Sequence, residues 1–323
     1  MILSRVADAL YWMGRYLERA ENVTRLLLVT DDLTTELLGL DEDLARAEWR
    51  ELAAILPGPP IGDSPARLAT ASAAVLAAMH LRARTLDAGR PDSVLFSLRR
   101  ARENGRTVRE ALTVEVFINL NETYRDLEMQ AGRPPGDRPA LRAALSTTHR
   151  GILSTVGAIE HTLSRDAGWL FLRLGEALER VYRTAVILRA KVPSLLGPDA
   201  KADLPLHVSR WRGLLRGLSS LENYRQAHGG RVEPADVLRF VVLDAHMPRS
   251  LRYGVGAVKE YLDRVAGHTE LSPPARIVGK LAAELAYGGD DLLADGDCVP
   301  LLERVLGELT RAHDSLSAQY FGA

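Results

Sequence analysis

The residues able to do chemistry gather in two helical stretches. In the first, Tyr11, Arg15, Glu18, Asn22 and Arg25 follow steps of three and four, with Arg19 and Glu21 beside them. That spacing puts the five on one helical face. In the second, Arg102, Arg106 and Arg109 fall at i, i+4 and i+7, among Glu103, Asn104 and Glu110, with Glu115 and Asn121 downstream. Guanidinium forks match the oxygens of carboxylates and phosphates. Glu18 or Glu115 is the candidate general base beside them. Three arginines on one stripe repel each other unless carboxylates or a ligand anion compensate them. Two blander accounts compete with a pocket. One is a solvated face of Arg–Glu pairs worth ~0.3–0.5 kcal/mol each. The other is a set of buried structural pairs, where stripping one partner costs ~3–5 kcal/mol.

Other chemistries lack their residues. None of the eight histidines follows a glutamate at three residues, so the Glu-x-x-His pattern of di-iron bundles is missing, as is His-Glu-x-x-His. No metal and no cofactor is expected. There is no Walker loop, and Gly254-x-Gly256 lacks a preceding strand and a third glycine. Cys298 is the single cysteine, so no disulfide can close within the chain, and a reducing compartment, the cytoplasm, is the expected location. Of 41 basic residues only four are lysine. A GC-rich genome accounts for that bias; a need for planar, permanently charged forks is the functional alternative. The net charge of −1 and the interleaving of acids with bases argue against a nucleic-acid face. No apolar run is long enough to span a membrane, and charged residues interrupt the first apolar stretch, so neither a membrane helix nor a secretory signal is expected.

Helices must position these groups. Apolar residues recur at three- and four-residue steps from Leu3 to Leu28, and strand signals are nearly absent. The chain is expected to be all-α, with helices near 4–38, 41–56, 65–87, 92–130, 138–163, 165–193, 205–226, 234–244, 249–266, 273–289 and 298–320. The fourth is expected to break near Gly105. Gly and Pro mark the breaks at 57–64, 88–92, 132–138, 194–204, 228–233, 244–249, 268–274 and 288–297.

An internal repeat runs through this pattern. LYWMGRYLERAENVTRLLL from Leu10 parallels FLRLGEALERVYRTAVIL from Phe171, aligning Gly14 with Gly175 and Glu18-Arg19 with Glu179-Arg180. EWRELAAIL around Trp49 parallels RWRGLLRGL around Trp211, and Leu86-Asp87-Ala88-x-x-Pro91-x-Ser93 parallels Leu243-Asp244-Ala245-x-x-Pro248-x-Ser250. The order is kept at a shift near 160 residues. The expectation is one globule of about 10–12 helices built from two diverged repeats, about 1–140 and 150–323, with pseudo-twofold symmetry. Pro91 and Pro248 stop a helix, and Ser93 and Ser250 can cap the next. The second copy keeps Glu179 and Arg180 as a structural pair but has no Arg-Glu-Asn cluster after Ser250. That asymmetry places the expected site in the first half, near 4–38 and 92–130.

LSRVADALYWMGRYLERAENVTRLL, SVLFSLRRARENGRTVREALTVEVFINLNETY from Ser93 and FVVLDAHMPRSLRY from Phe240 resemble three signatures of the bacterial alpha-E family. The likeness covers nearly the whole chain, departing at Gly105, where alanine is usual, and at Phe117, where tryptophan is. The resemblance implies a helical protein encoded beside, or fused to, a circularly permuted ATP-grasp protein, with a transglutaminase-like protein nearby. ATP-grasp enzymes activate a carboxylate as an acyl phosphate and join it to an amine. Three roles follow: a partner that holds an anionic or peptide-like substrate, a stand-alone enzyme with a glutamate base, or a helical scaffold.

Overall fold

A computed structural model describes residues 2–62, 65–133, 136–197, 204–267, 272–293 and 298–322. Parts of the breaks expected at 57–64, 132–138, 194–204, 268–274 and 288–297 lie outside the described residues. Among those described, every regular element is helical and no strand forms. In chain order the helices are α1 (Ser4–Leu37), α2 (Glu42–Ile55), α3 (Pro65–Thr70), α4 (Ala73–Leu86), α5 (Val94–Thr107), α6 (Val114–Ala131) and α7 (Arg138–Thr162). They continue as α8 (Ala167–Leu196), α9 (Leu204–Gly217), α10 (Leu221–His228), α11 (Pro234–Leu243), α12 (Leu251–Val265), α13 (Pro273–Tyr287) and α14 (Val299–Leu316). No helix among the described residues is long and apolar enough to cross a membrane.

Three expected helices are split where the sequence holds little or no glycine or proline. The 65–87 stretch divides into α3 and α4 because Ser72 turns out of the helix and caps Val75 N–H at 3.3 Å, while Glu42 Oε1 accepts from Ala73 N–H at 2.7 Å. The 92–130 stretch ends at Thr107 rather than at Gly105. It then makes a 3-10 turn at Arg109–Ala111, held by Arg109 NH1 donating to the Leu112 carbonyl at 3.0 Å. The i, i+4, i+7 stripe is therefore corrected: Arg102 and Arg106 share α5, whereas Arg109 leaves it. The 205–226 stretch breaks at 218–220, where Ser219 takes a φ of 51° and Ser220 Oγ donates to the Leu215 carbonyl at 3.0 Å. In the other direction, α8 runs on through Pro193 to Leu196.

The chain divides into two units. One comprises Met1–Arg15 with Arg165–Ala323, the other Tyr16–Ser164. In the first, α8 is the buried axis, against which α12 and α14 pack. The start of α1 joins it through two glycines. A Cβ at Gly14 would stand 2.1 Å from the Leu172 carbonyl oxygen, and one at Gly175 would stand 2.0 Å from that of Tyr11. Backbone meets backbone there, so neither position admits a side chain. In the second unit the rest of α1 is buried along most of its length, α6 packs on α7, and α5 packs on α6.

Candidate functional site

Of the α1 charges, Arg15, Glu18, Glu21 and Arg25 are buried and Arg19 is half-buried. Arg15 lies in the first unit, where it grips Glu179 of α8 through Nε at 2.8 Å and NH2 at 2.7 Å. Arg183 adds its own Nε to the other Glu179 oxygen at 2.8 Å. Burial works to lower the Arg15 pKa, but Glu179 and Tyr11 outweigh it and raise it. Tyr11, fully buried, meets His313 Nδ1 at 2.9 Å. Arg180 pairs with Glu176, as does Arg173.

The remainder of the α1 face lies in the second unit. Glu21 accepts a two-pronged bond from Arg25 at 2.9 and 3.1 Å and meets His149 Nε2 at 3.1 Å. Glu18 is buried, and so is Asn22, whose amide oxygen meets no hydrogen-bond partner among the described residues. Further along α1, Asp31 is held by Arg138 at 2.8 Å and Arg142 at 2.5 Å, both from α7. Glu21 beside Arg25 was an expected neighbour, whereas the long separation of Arg15 from Glu179, and of Asp31 from Arg138 and Arg142, kept those pairs out of the sequence reading.

A different arrangement runs over α1, α5 and α6 of the same unit. Arg19 lies over the Tyr16 ring at 5.0 Å, and Arg100 lies over the same ring at 6.0 Å. Tyr16 meets Phe96 edge-on at 6.3 Å, and Arg99 lies over Phe96 at 5.6 Å. Arg102 lies over Tyr124 at 5.0 Å and donates its Nε to Asn121 Oδ1 at 2.7 Å. Further along, Arg109 covers Phe117 at 4.8 Å. Each guanidinium lies within cation–π distance of a ring. Arg99, Arg100 and Arg102 are half-buried or exposed. Glu103 is the carboxylate that meets Arg99 at 3.9 Å and Arg100 at 3.2 Å. A hydrogen bond with Tyr16 leads the causes that raise the Arg100 pKa, and burial followed by its bond to Glu128 raises that of Tyr124.

Of the sequence candidates, the structure brings Arg19, Arg102 and Asn121 into this row. Glu103 serves Arg99 and Arg100 rather than Arg102, Asn104 is half-buried, and Arg106 is exposed at the end of α5. Glu115 stands exposed in the first turn of α6. Sequence reasoning missed Tyr16, Phe96, Arg99, Arg100 and Tyr124. The three-residue steps Tyr16 to Arg19 and Phe96 to Arg99 were an available signal, since such pairs meet on a helix. No group of three His, Cys, Asp or Glu residues suited to a metal lies among the described residues.

Fold and sequence together define an all-helical domain with carboxylates buried against arginine. The chain belongs to the Alpha-E family, described as a predicted alpha-helical domain with a conserved ER motif, and the family model matches residues 2–321. Glu-Arg occurs in the chain at Glu18-Arg19, Glu179-Arg180 and Glu303-Arg304. Similar curated proteins include an uncharacterized protein of Mycobacterium bovis and one of Mycobacterium tuberculosis. Each is 27% identical over 315 residues, covering 94% of this chain and 35% of the relative. The chain thus spans about a third of the length of these relatives. No solved structure matches it.

Proposed function

We propose that this chain is the partner module of an ATP-grasp type amide-forming system, and that its guanidinium–aromatic row holds an anionic or peptide-like substrate for that system. The observation that carries the reading is the row itself. Arg19, Arg99, Arg100 and Arg102 lie over Tyr16, Phe96 and Tyr124 at 5.0–6.0 Å, and Glu103 pairs with two of them. Such forks receive carboxylate or acyl-phosphate oxygens, and their preset orientation lowers the ordering cost of binding. Arginine holds its proton throughout the neutral pH range and does not give it up, so the row is suited to holding rather than to acid–base work. The greater length of the mycobacterial relatives supports a helical unit joined to further chain. The same reading takes the chain as a duplication in which one copy kept the charged row. The reciprocal seating of Gly14 and Gly175 supports that descent, because 14 meets 172 and 175 meets 11, the same pairs exchanged by a shift of 161.

The test is a titration of the chain with a circularly permuted ATP-grasp protein of the kind the family resemblance implies. A stable complex is expected, weakened at least ~10-fold by the Arg100→Ala/Arg102→Ala double variant. The variant's melting temperature should stay within a few degrees of the parent. Absence of a complex, or one that the double variant leaves intact, rejects the reading. Turnover by the chain alone would move the assignment to a stand-alone enzyme with Glu18 or Glu115 as base.

A further inference from the structure

The second unit encloses another group of charges, on α4 and just before α5. His80, Arg84, Arg90 and Asp92 are all buried. Arg84 donates NH1 to His80 Nδ1 at 2.6 Å and NH2 to the Leu56 carbonyl at 2.9 Å, and its Nε stands 3.3 Å from Asp92. Arg90 donates NH2 to the same Asp92 oxygen at 3.0 Å and to the Pro59 carbonyl at 2.6 Å. A guanidinium only donates, so Nδ1 of His80 is the acceptor and its proton sits on Nε2. Burial, followed by the two guanidiniums, pushes the His80 pKa down to about 3, so the ring is neutral near pH 7. Two cations then face one carboxylate, which leaves a single positive charge out of water. Burial first, and Arg90 against the opposing pull of Asp92, push the Arg84 pKa down to about 10. Asp92 Oδ1 and Arg90 Nε meet no hydrogen-bond partner among the described residues.

His80 and Arg84 line a cavity of about 290 Å³ whose other walls include Pro59, Ile61, Leu68 and Leu76. Arg50 also lines it, exposed and bonded through NH2 to the Ala69 carbonyl at 3.1 Å. The volume is at the small end of ligand pockets, which start near ~300 Å³. We propose that this cavity binds a small carboxylic acid with an apolar body. The carboxylate accepts from His80 Nε2–H and from Arg50, and the body lies against the proline and leucine walls. One carboxylate balances the one excess charge. A phosphate dianion would overshoot it and leave charge stranded among apolar side chains, a costly arrangement. The acid is either free or the C-terminal residue of an apolar peptide, since both present the same group.

Histidine-selective NMR on the full chain tests this, with hexanoate, hexanamide and acetyl-glycyl-leucine as probes and His80 assigned by His80→Gln. Hexanoate or the peptide should move the His80 signal saturably. Hexanamide should bind at least ~10-fold more weakly than hexanoate, and Arg50→Gln should weaken acid binding about 10-fold. Tighter binding by the peptide assigns a chain terminus as the natural source; tighter binding by hexanoate assigns a free acid. If His80→Gln does not fold, Arg50→Gln at the exposed rim and the acid–amide comparison still decide. No saturable shift at millimolar acid, equal affinity for acid and amide, or full affinity in Arg50→Gln each overturns the proposal. None of these outcomes touches the guanidinium row, so the two readings fail separately.

Discussion

The corners before α5 and before α12 are made from the same bonds, yet the helices that leave them differ sharply in charge. In each, the serine hydroxyl donates 2.5 Å to an aspartate carbonyl, Ser93 to Asp87 and Ser250 to Asp244. Each serine oxygen then accepts from the third residue on, Phe96 at 3.0 Å and Tyr253 at 3.1 Å. Counting on from these corners, Phe96 corresponds to Tyr253, Arg99 to Gly256, Arg100 to Ala257 and Arg102 to Lys259. Glu103 keeps its type as Glu260. On α12 the charges pair within the helix, Lys259 with Asp263 at 2.5 Å and Arg264 with Glu260 at 3.6 Å. Gly254 lies so close to Val181 of α8 that a Cβ would sit 2.9 Å from that side chain. The corner is therefore indifferent to the arginines. What α12 spends on close packing, α5 devotes to a charged outer face, and a feature that folding does not require is the better candidate for work.

The sharpest way to break that contrast is to remove a carboxylate from each kind of environment. Glu179→Gln leaves the buried Arg15 and the half-buried Arg183 without this counter-charge and should cost ~3–5 kcal/mol in urea unfolding. Glu103→Gln, on the half-exposed row, should cost less than ~1 kcal/mol. Similar losses would erase the distinction between structural and working charge.

A pH titration of stability compares the units through their histidines. Burial, then Arg15, pushes His313 down to about 4, and His80 lies at about 3, against 6.5 for the free side chain. The unfolded chain takes up these protons first, so the contribution of neutral histidine is complete above about pH 6.5 and falls as the solution is acidified. The His313 share should be lost on the way down to about pH 4, and the His80 share should continue to about pH 3. His313→Gln should flatten the upper part of the thermal profile and His80→Gln should flatten it throughout. A slope unchanged in both variants would contradict the assignment of buried neutral rings.

The smallest effect tests the equivalence of the two corners. Ser93→Ala and Ser250→Ala should each cost about 1 kcal/mol, within error of one another, by chemical denaturation. A much larger loss at one corner would mean that the shared bonds hide different surroundings.

Helix content and most helix positions were legible in the sequence, because apolar residues at 3.6-residue spacing report a buried stripe without knowledge of what covers it. The break at 71–72 was not, because it depends on a cap rather than on glycine or proline, and the break expected near Gly105 falls a few residues later, at 108–113, where a side chain returns to its own backbone. The site was half legible. Arg102 and Asn121 were both singled out, but nothing in the sequence says that they bond, since they lie 19 residues apart on separate helices. Arg15 with Glu179, and Asp31 with Arg138 and Arg142, lie further still from any local pattern.

The glycine crossing of α1 and α8 also limits how the first unit can move. Two rods whose main chains touch, with no side chains between them as a cushion, cannot slide lengthwise without driving a carbonyl into the next turn. They can still scissor about the point where they touch. Any rearrangement that a bound partner induces in this unit is thus channelled into rotation about one fixed pivot, and it reaches Arg15 and Glu179 before it reaches anything farther along either rod.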